Sequence, residues 1–342
     1  MTKYARMFIQ YKYGSTWLNE GNLGDCVQNL AVENVYKYAG INPDDLVLIN
    51  RDELPKYNGE KASLVMQSWF GDAHNVFPLP WSDKITPTFI GFHLSKYGKT
   101  RISFIEKKVH EKIVPPPPIG CRDRNTRDFL RGLGLDAYFS GCMTLTFEKR
   151  KSAPKNGKIF VVDLTGAARA ILPKAVEQVA DFSISHFYYW ENYPVSYDGA
   201  MEFENHARVV LERYRTEAKL VITSRIHVAM PCIAMGIPVV FIHEEADCER
   251  FDVMQGLVPM YEPKHAKYIN WNPKAVDIEP LKQAIIRNAI ARIENDSDLV
   301  AIRELNEITE KLKPIRYKTV FARLRTIRIF GKYLFKRRIL FK

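Results

Sequence analysis

The stretch from Lys219 to His243 constrains the fold more than any other part of the chain, because it reads as a complete strand–helix–strand unit. KLVIT (219–223) and IPVVFIH (237–243) are short, apolar and rich in β-branched residues, as buried strands are, and the apolar residues between them are long enough for a crossover helix. The unit is therefore read as β-α-β and the chain as an α/β protein. In open α/β sheets ligands collect at the carboxyl ends of strands, where Ser224, Arg225 and His227 would stand. A fixed cation beside a titratable imidazole suits an anionic substrate. The competing reading of the same pair is an exposed arginine and a histidine packed in the core.

A second α/β half precedes this one. RMFIQYK (6–12) is a candidate strand, followed by the loop G21-N-L-G-D25 and a helix from about Cys26 to Tyr38 that stops at Gly40. ASLVMQSWF (62–70) and PTFIGFHL (87–94) read as strands, Pro115 to Pro118 as a stiff extended connector, NTRDFLRGLG (125–134) as a helix ending at glycine, and DAYFSG (136–141) as a short strand. Charge, Pro154 and Gly157 concentrate in EKRKSAPKNGK (148–158), which marks the boundary. Beyond it come a strand at 158–166, a helix at 171–180, a strand at 182–190, an amphipathic helix at 203–218, the unit described above, and helical periodicity over 279–312.

A chain of 342 residues, 46% of them apolar, is too long for one ordinary domain. The expected architecture is two Rossmann-like domains facing a cleft, 1–150 and 151–311, with a basic amphipathic tail at 312–342.

The tail holds the whole charge excess. The formal net charge is +11, and residues 312–342 contain eleven Lys and Arg with no Asp or Glu, so the remainder sums to zero. Val320, Phe321, Leu324, Ile327, Phe330, Tyr333 and Leu334 recur at threes and fours among these cations, the pattern of a helix lying in an anionic membrane surface. Each basic residue near such a surface contributes on the order of 1 kcal/mol. A helix packed on the protein body is the alternative. Nucleic acid is not expected as a partner, since no RNP1, zinc-finger or KH pattern is present.

Several chemistries find no motif. Five cysteines without a CxxC pair suggest neither a disulfide framework nor a zinc ribbon, and point to a reducing cytoplasm. No GxxxxGK[ST], HExxH or GxSxG occurs, and no metal site is expected. G132-L-G-L-D-A137 follows a helix and precedes a strand, the reverse of a dinucleotide fingerprint. The longest apolar run, Val228 to Ile242, is short of a bilayer span and interrupted by Pro231, Gly236 and Pro238, so no transmembrane helix is read.

Three segments, GNLGDCVQNLAVENVY (21–36), PIGCRDRNTRDFLRGLGLDAYFSGCMTLTF (118–147) and VITSRIHVAMPCIAMGIPVVFI (221–242), together resemble the polysaccharide pyruvyl transferase family, in order and over about residues 15–255. The resemblance implies a fold like that of the two-domain GT-B glycosyltransferases. It also implies transfer of an enolpyruvyl-derived group from phosphoenolpyruvate, a donor substrate and not a resident cofactor, to two hydroxyls of a sugar, leaving a cyclic pyruvyl ketal and phosphate. In such enzymes the arginine of the C-R-D-like motif and the Arg and His of the S-R-x-H-like motif bind the donor, which correspond to Arg122, Arg225 and His227.

The residue types agree with that chemistry. Guanidinium forks bind phosphate and carboxylate bidentately, and histidine is the side chain whose ordinary pKa suits a general acid near neutrality. Asn22 and Asp25 stand where a helix opens and favours an anion; Asp25 would accept a proton from an acceptor hydroxyl or simply cap the helix. His186 would face the cleft as a substrate-binding group or serve as a structural histidine, and Asp123 would cap a helix or orient Arg122. Trp69 and Trp81 would stack on a sugar or fill the core.

The chain departs from the family pattern in places: Ile226 stands where leucine is common, Cys142 where many relatives have aspartate, and M66-Q-S-W-F-G-D72 has a single glycine in place of a glycine-rich turn. Cell-surface glycans are assembled on lipid-linked intermediates, so the expected enzyme lies at the cytoplasmic face of the membrane, with the tail on the anionic surface and a lipid-linked glycan as acceptor. The rival readings are a nucleotide-sugar glycosyltransferase of the same fold and a non-catalytic membrane-binding protein.

Overall fold

The computed structural model describes residues 3–10, 20–71, 78–96, 98–113, 118–189, 196–245, 249–295 and 299–315. The expected tail helix beyond Ile315, the first three prolines of the connector and Cys248 lie outside these residues. The chain forms two compact units, one of Met1–Phe147, His186–Val209 and Glu279–Lys311, the other of Glu148–Ser185, Val210–Ile278 and Leu312–Lys342. The first division falls at Phe147/Glu148, and residues 186–209 and 279–311 group with the first unit. Strand Phe187–Tyr189 pairs antiparallel with Glu20–Asn22 there, which is why the 182–190 segment does not join the second sheet.

The first unit is built on a four-stranded parallel sheet in the order Val47–Asn50, Lys3–Phe8, Ala62–Val65, Ile85–Thr88. The outer position of Ile85–Thr88 lets it carry Pro87, which has no N–H for a further neighbour. The apolar runs 62–70 and 87–94, each read as one strand, are in fact divided. Trp69–Phe70 and His93–Leu94 leave the main sheet and pair with each other. Gly91, at φ 64, turns the chain between Ile85–Thr88 and His93–Leu94. A side chain at Gly91 would meet Gln67 Oε1 at 2.3 Å. The core beneath includes Met7, Leu64, Phe70, Phe92, Phe104 and Ile119. Trp81 belongs to this core, 4% exposed and edge-on to Phe89, so it fills space and does not form a sugar platform.

Helix Leu23–Tyr38 follows the first strand. Asn22 caps it by accepting from the Gly24 N–H, and it ends at Gly40, φ 74, where the Gly40 and Ile41 N–H groups bond the Lys37 and Tyr36 carbonyls.

The second unit is built on a five-stranded parallel sheet in the order Ala180–Asp181, Lys158–Val162, Ala218–Thr223, Val239–Ile242, Met260–Tyr261. The chain runs outward one way from Lys158–Val162 and then back to its other side, so the strand order reverses between Lys158–Val162 and Ala218–Thr223. A crevice outside the carboxyl ends of those two strands is the place where α/β sheets bind ligands. Of the expected helix at 171–180 only Lys174–Glu177 forms, with Pro173 at its N-cap; a separate short helix, Gly166–Ala170, precedes it, and Ala180 already belongs to a strand. Helix Ile226–Ala234 crosses between Ala218–Thr223 and Val239–Ile242 as the sequence implies.

Candidate functional site

In the first unit the sequence-read residues gather at the start of helix Leu23–Tyr38. Asn22, and not Asp25, is the helix cap. Asp25, 8% exposed, instead accepts from Gln28 Nε2 at 3.2 Å and pairs with Arg51 Nη1 at 3.5 Å. Gln28 accepts in turn from Arg122 Nη1 at 3.0 Å, so one amide joins the N-x-G-D and C-R-D motifs, 94 residues apart. The carbonyl of Gln28 receives the Gln67 side chain at 3.3 Å, and Gln67 Oε1 receives the Met143 N–H at 2.8 Å. Arg122 is 1% exposed, a guanidinium held inside the protein at the end of strand Ile119–Cys121.

Asp123 caps the next helix, Arg124–Gly132, accepting from the Thr126 N–H at 2.7 Å, and its other oxygen lies 2.5 Å from His93 Nδ1. Burial opposes its charge, but His93, Arg122 and the Thr126 N–H outweigh that effect and hold its carboxyl at about 2. At neutral pH the carboxylate can only accept, so Nδ1 of His93 carries the proton between them. His186 is 1% exposed and its carbonyl accepts the Leu23 N–H at 2.8 Å, anchoring the entry to the helix. Cys142 is buried, its sulfur 3.1 Å from Thr144 Oγ1, and burial raises its thiol pKa.

In the second unit, Ser224, Arg225 and His227 follow the Ala218–Thr223 strand, at the reversal of strand order. Arg225 is the residue before helix Ile226–Ala234, and its N–H bonds Thr223 Oγ1 at 2.9 Å. Ser224 Oγ donates to the Ile242 carbonyl at 2.7 Å, tying this turn to the neighbouring strand. His227 lies in the first helical turn, 7% exposed. Across the reversal point, Asp163 ends the Lys158–Val162 strand and accepts from Arg225 Nε at 3.2 Å and from Ser185 Oγ at 2.8 Å. Asp163 has φ 51, a left-handed conformation that costs energy for any residue with a side chain. A buried carboxylate thus fixes the Nε edge of a guanidinium whose side chain is 27% exposed.

Asn22, Asp25, Arg122 and His186 are therefore brought together in one unit, and Ser224, Arg225 and His227 in the other. Sequence reasoning missed Gln28, Arg51, Gln67 and His93 in the first and Asp163 in the second. Asp163 was open to discovery, being the polar residue that ends the strand KIFVV. Among the described residues no group of His, Cys, Asp and Glu is arranged to hold a metal ion, and no helix is long and apolar enough to cross a membrane.

Two parallel sheets with polar clusters at strand ends define an α/β protein of the doubly wound kind. Residues 22–243, more than half of the chain, match the model of the polysaccharide pyruvyl transferase family, and the chain belongs to that family. No curated protein matches it. Among solved structures it is similar to a functionally uncharacterized protein of Klebsiella pneumoniae, with 13% identity, a TM-score of 0.38, and coverage of 74% of this chain and 87% of that one. It is also similar to a Listeria monocytogenes protein titled as a UDP-N-acetylglucosamine 2-epimerase, with 11% identity, a TM-score of 0.37, and coverage of 98% and 97%.

Proposed function

We propose that this protein transfers the enolpyruvyl-derived group of phosphoenolpyruvate to a sugar of a cell-surface polysaccharide or its lipid-linked precursor, forming a pyruvyl ketal and releasing phosphate. In this reading the two units are GT-B-like and the enzyme lies at the cytoplasmic face of the membrane, held there by its basic tail. The observation that carries the chemical part is the Asp163–Arg225 pair at the reversal point of the second sheet, beside Ser224 and His227. A guanidinium fixed through Nε keeps its orientation toward an anion, the preorganisation that a carboxylate and phosphate donor needs.

The first acceptor hydroxyl adds its oxygen to C2 of the donor while His227 delivers a proton to C3, turning the methylene into a methyl group. Asp25 takes the proton of that hydroxyl. A second hydroxyl then attacks C2, the bond from C2 to the phosphate oxygen breaks, and phosphate leaves with the second hydroxyl's proton. Arg225 and Ser224 hold the donor, and Arg122 is a further donor-binding group. Asn22 and His186 support the substrate side around helix Leu23–Tyr38.

Calorimetric titration of phosphoenolpyruvate into the wild type, Arg225→Ala and Asp163→Asn tests the donor assignment. Saturable binding to the wild type is expected, with loss in Arg225→Ala and a roughly tenfold weaker Kd in Asp163→Asn, from a charged hydrogen bond of about 1.5 kcal/mol. Absence of binding to the wild type, with binding of a nucleotide sugar, would replace this reading with glycosyl transfer.

A further inference from the structure

The basic segment 148–158 is not a slack linker. Its backbone is held at Glu148 and Arg150: the Arg150 N–H bonds the Met235 carbonyl at 3.1 Å and Arg215 Nη1 donates to the Glu148 carbonyl at 3.0 Å, while the Arg150 side chain donates through Nη1 to the Ala218 carbonyl at 2.5 Å. The stem of Lys149 packs at 3.3 Å from the position a Cβ would take on Gly236. These contacts frame an open cavity of ≈ 490 Å³, lined by Lys149, Arg150, Lys151 and Arg215 with Glu148 as the one acidic side chain. Lys149 is 57% exposed and 3.8 Å from Asp277, and Arg215 pairs with Glu212 at 3.4 Å. Lys151 has no ion pair among the described residues and is exposed.

Where this cavity lies follows from the sheet. All five strands of the second unit are parallel, so their beginnings share one edge. Gly157 immediately precedes Lys158–Val162, Thr216 stands two residues before Ala218–Thr223, Gly236 three before Val239–Ile242, and Gly256 four before Met260–Tyr261. Leu312, from which the basic tail departs, packs against Gly256, 2.8 Å from where its Cβ would be. The cavity and the departure of the tail therefore lie on the same edge. Asp163, Ser224 and Arg225 lie on the opposite edge, one strand length or roughly 17–20 Å away.

We propose that this amino-terminal edge of the second unit is a docking surface for an anionic lipid bilayer, with the Lys149–Lys151–Arg215 cavity receiving a lipid phosphate headgroup. The charge complements the surface, and Leu312, the last described leucine before the basic segment, is on the same edge, with ten basic residues following Ile315 in the sequence. Docking in this way sets the strand-end residues about a strand length above the bilayer. The inference rests on the membrane part of the proposed function and not on pyruvyl transfer.

The test is co-sedimentation with vesicles of phosphatidylcholine, with and without 30% phosphatidylglycerol (an order-of-magnitude choice for a strongly anionic surface), using the full chain and no donor or acceptor. The arms are the wild type, Lys149→Gln/Lys151→Gln, and Arg323→Gln/Arg325→Gln/Arg328→Gln. Both lysines are exposed, and an unchanged melting curve verifies the fold. At about fivefold per cation, the lysine pair is expected to lower partition onto anionic vesicles roughly 25-fold, with little effect on neutral ones. Amide exchange in 148–157 is expected to slow on the vesicles while 163–167 is unchanged. If the wild type binds and the lysine variant binds equally well, the docking face is overturned while the tail remains an anchor. If the wild type does not bind anionic vesicles, the docking face and the membrane reading both fall, and the donor titration is unaffected.

Discussion

Asp123 commits both carboxylate oxygens, one to the start of a helix and one to His93, and it does so 1% exposed. Its pKa is held at about 2 in the folded protein against 3.8 for the ordinary group, so the folded state favours the charged form. A depressed carboxylate stabilises fully above its unfolded pKa, and that stabilisation is lost as pH falls through the folded value, here between about pH 4 and pH 2. The contribution at neutral pH is about 2 kcal/mol. Asp123→Asn is expected to lower stability by that order in urea unfolding at pH 7, and the gap to the wild type should narrow below about pH 4; a gap that stays constant to about pH 2.5 contradicts the linkage. At this scale the sequence showed the charged and titratable residues but not their partners. Gln28 and Arg122 are 94 residues apart, and Arg225 and Asp163 are 62 apart. No local pattern marks a glutamine that bridges two motifs, because its role exists only once the chain has folded.

Elements were most legible where backbone chemistry is local. The glycine stops at Gly40 and Gly134 are readable in the sequence, since a left-handed residue after a helix is nearly a glycine property; both have positive φ. Strand Val47–Asn50, four residues long at a sheet edge, escapes a sequence reading. Helix Tyr197–Glu217 starts earlier than its apolar periodicity because Ser196 Oγ accepts the Gly199 N–H and begins it. That helix is tied to the first strand by charge. Arg6 grips Glu204 through Nη1 and Nη2 at 2.9 and 2.6 Å, and Arg208 grips Glu33 at 3.0 and 2.6 Å. Burial opposes the charge of Glu33, yet Arg208, Arg6 and Lys37 hold its carboxyl below the usual range. Arg6, Glu33 and Glu204 are all nearly inaccessible, so removing one partner leaves a buried charge. Arg6→Ala is expected to cost about 3 kcal/mol in urea unfolding, the low end for a broken buried pair because Glu204 keeps Arg208 at 3.5 Å. Replacing both partners, Arg6→Met with Glu204→Leu, should recover most of the loss; a double variant as unstable as the single one would show that the pair is not the cause.

Charge is arranged on the scale of the whole molecule in a way that no single element reveals. Residues 1–311 are neutral in sum, and the excess of +11 resides in 312–342. On the proposed membrane reading, the apolar residues at threes and fours among those cations would give the segment two independent attractions for a bilayer, one screened by salt and one not. The screening length falls from about 10 Å at 0.1 M salt to about 3 Å at 1 M. If cations bring the protein to the surface and the apolar stripe then holds it, raising salt before mixing should reduce partition onto anionic vesicles by more than about tenfold. Raising salt after binding should release protein only slowly. Equal partition at about 0.1 M and 1 M, with salt added first, would mean that apolar burial alone drives association and that the concentration of charge in the tail has no part in reaching the membrane.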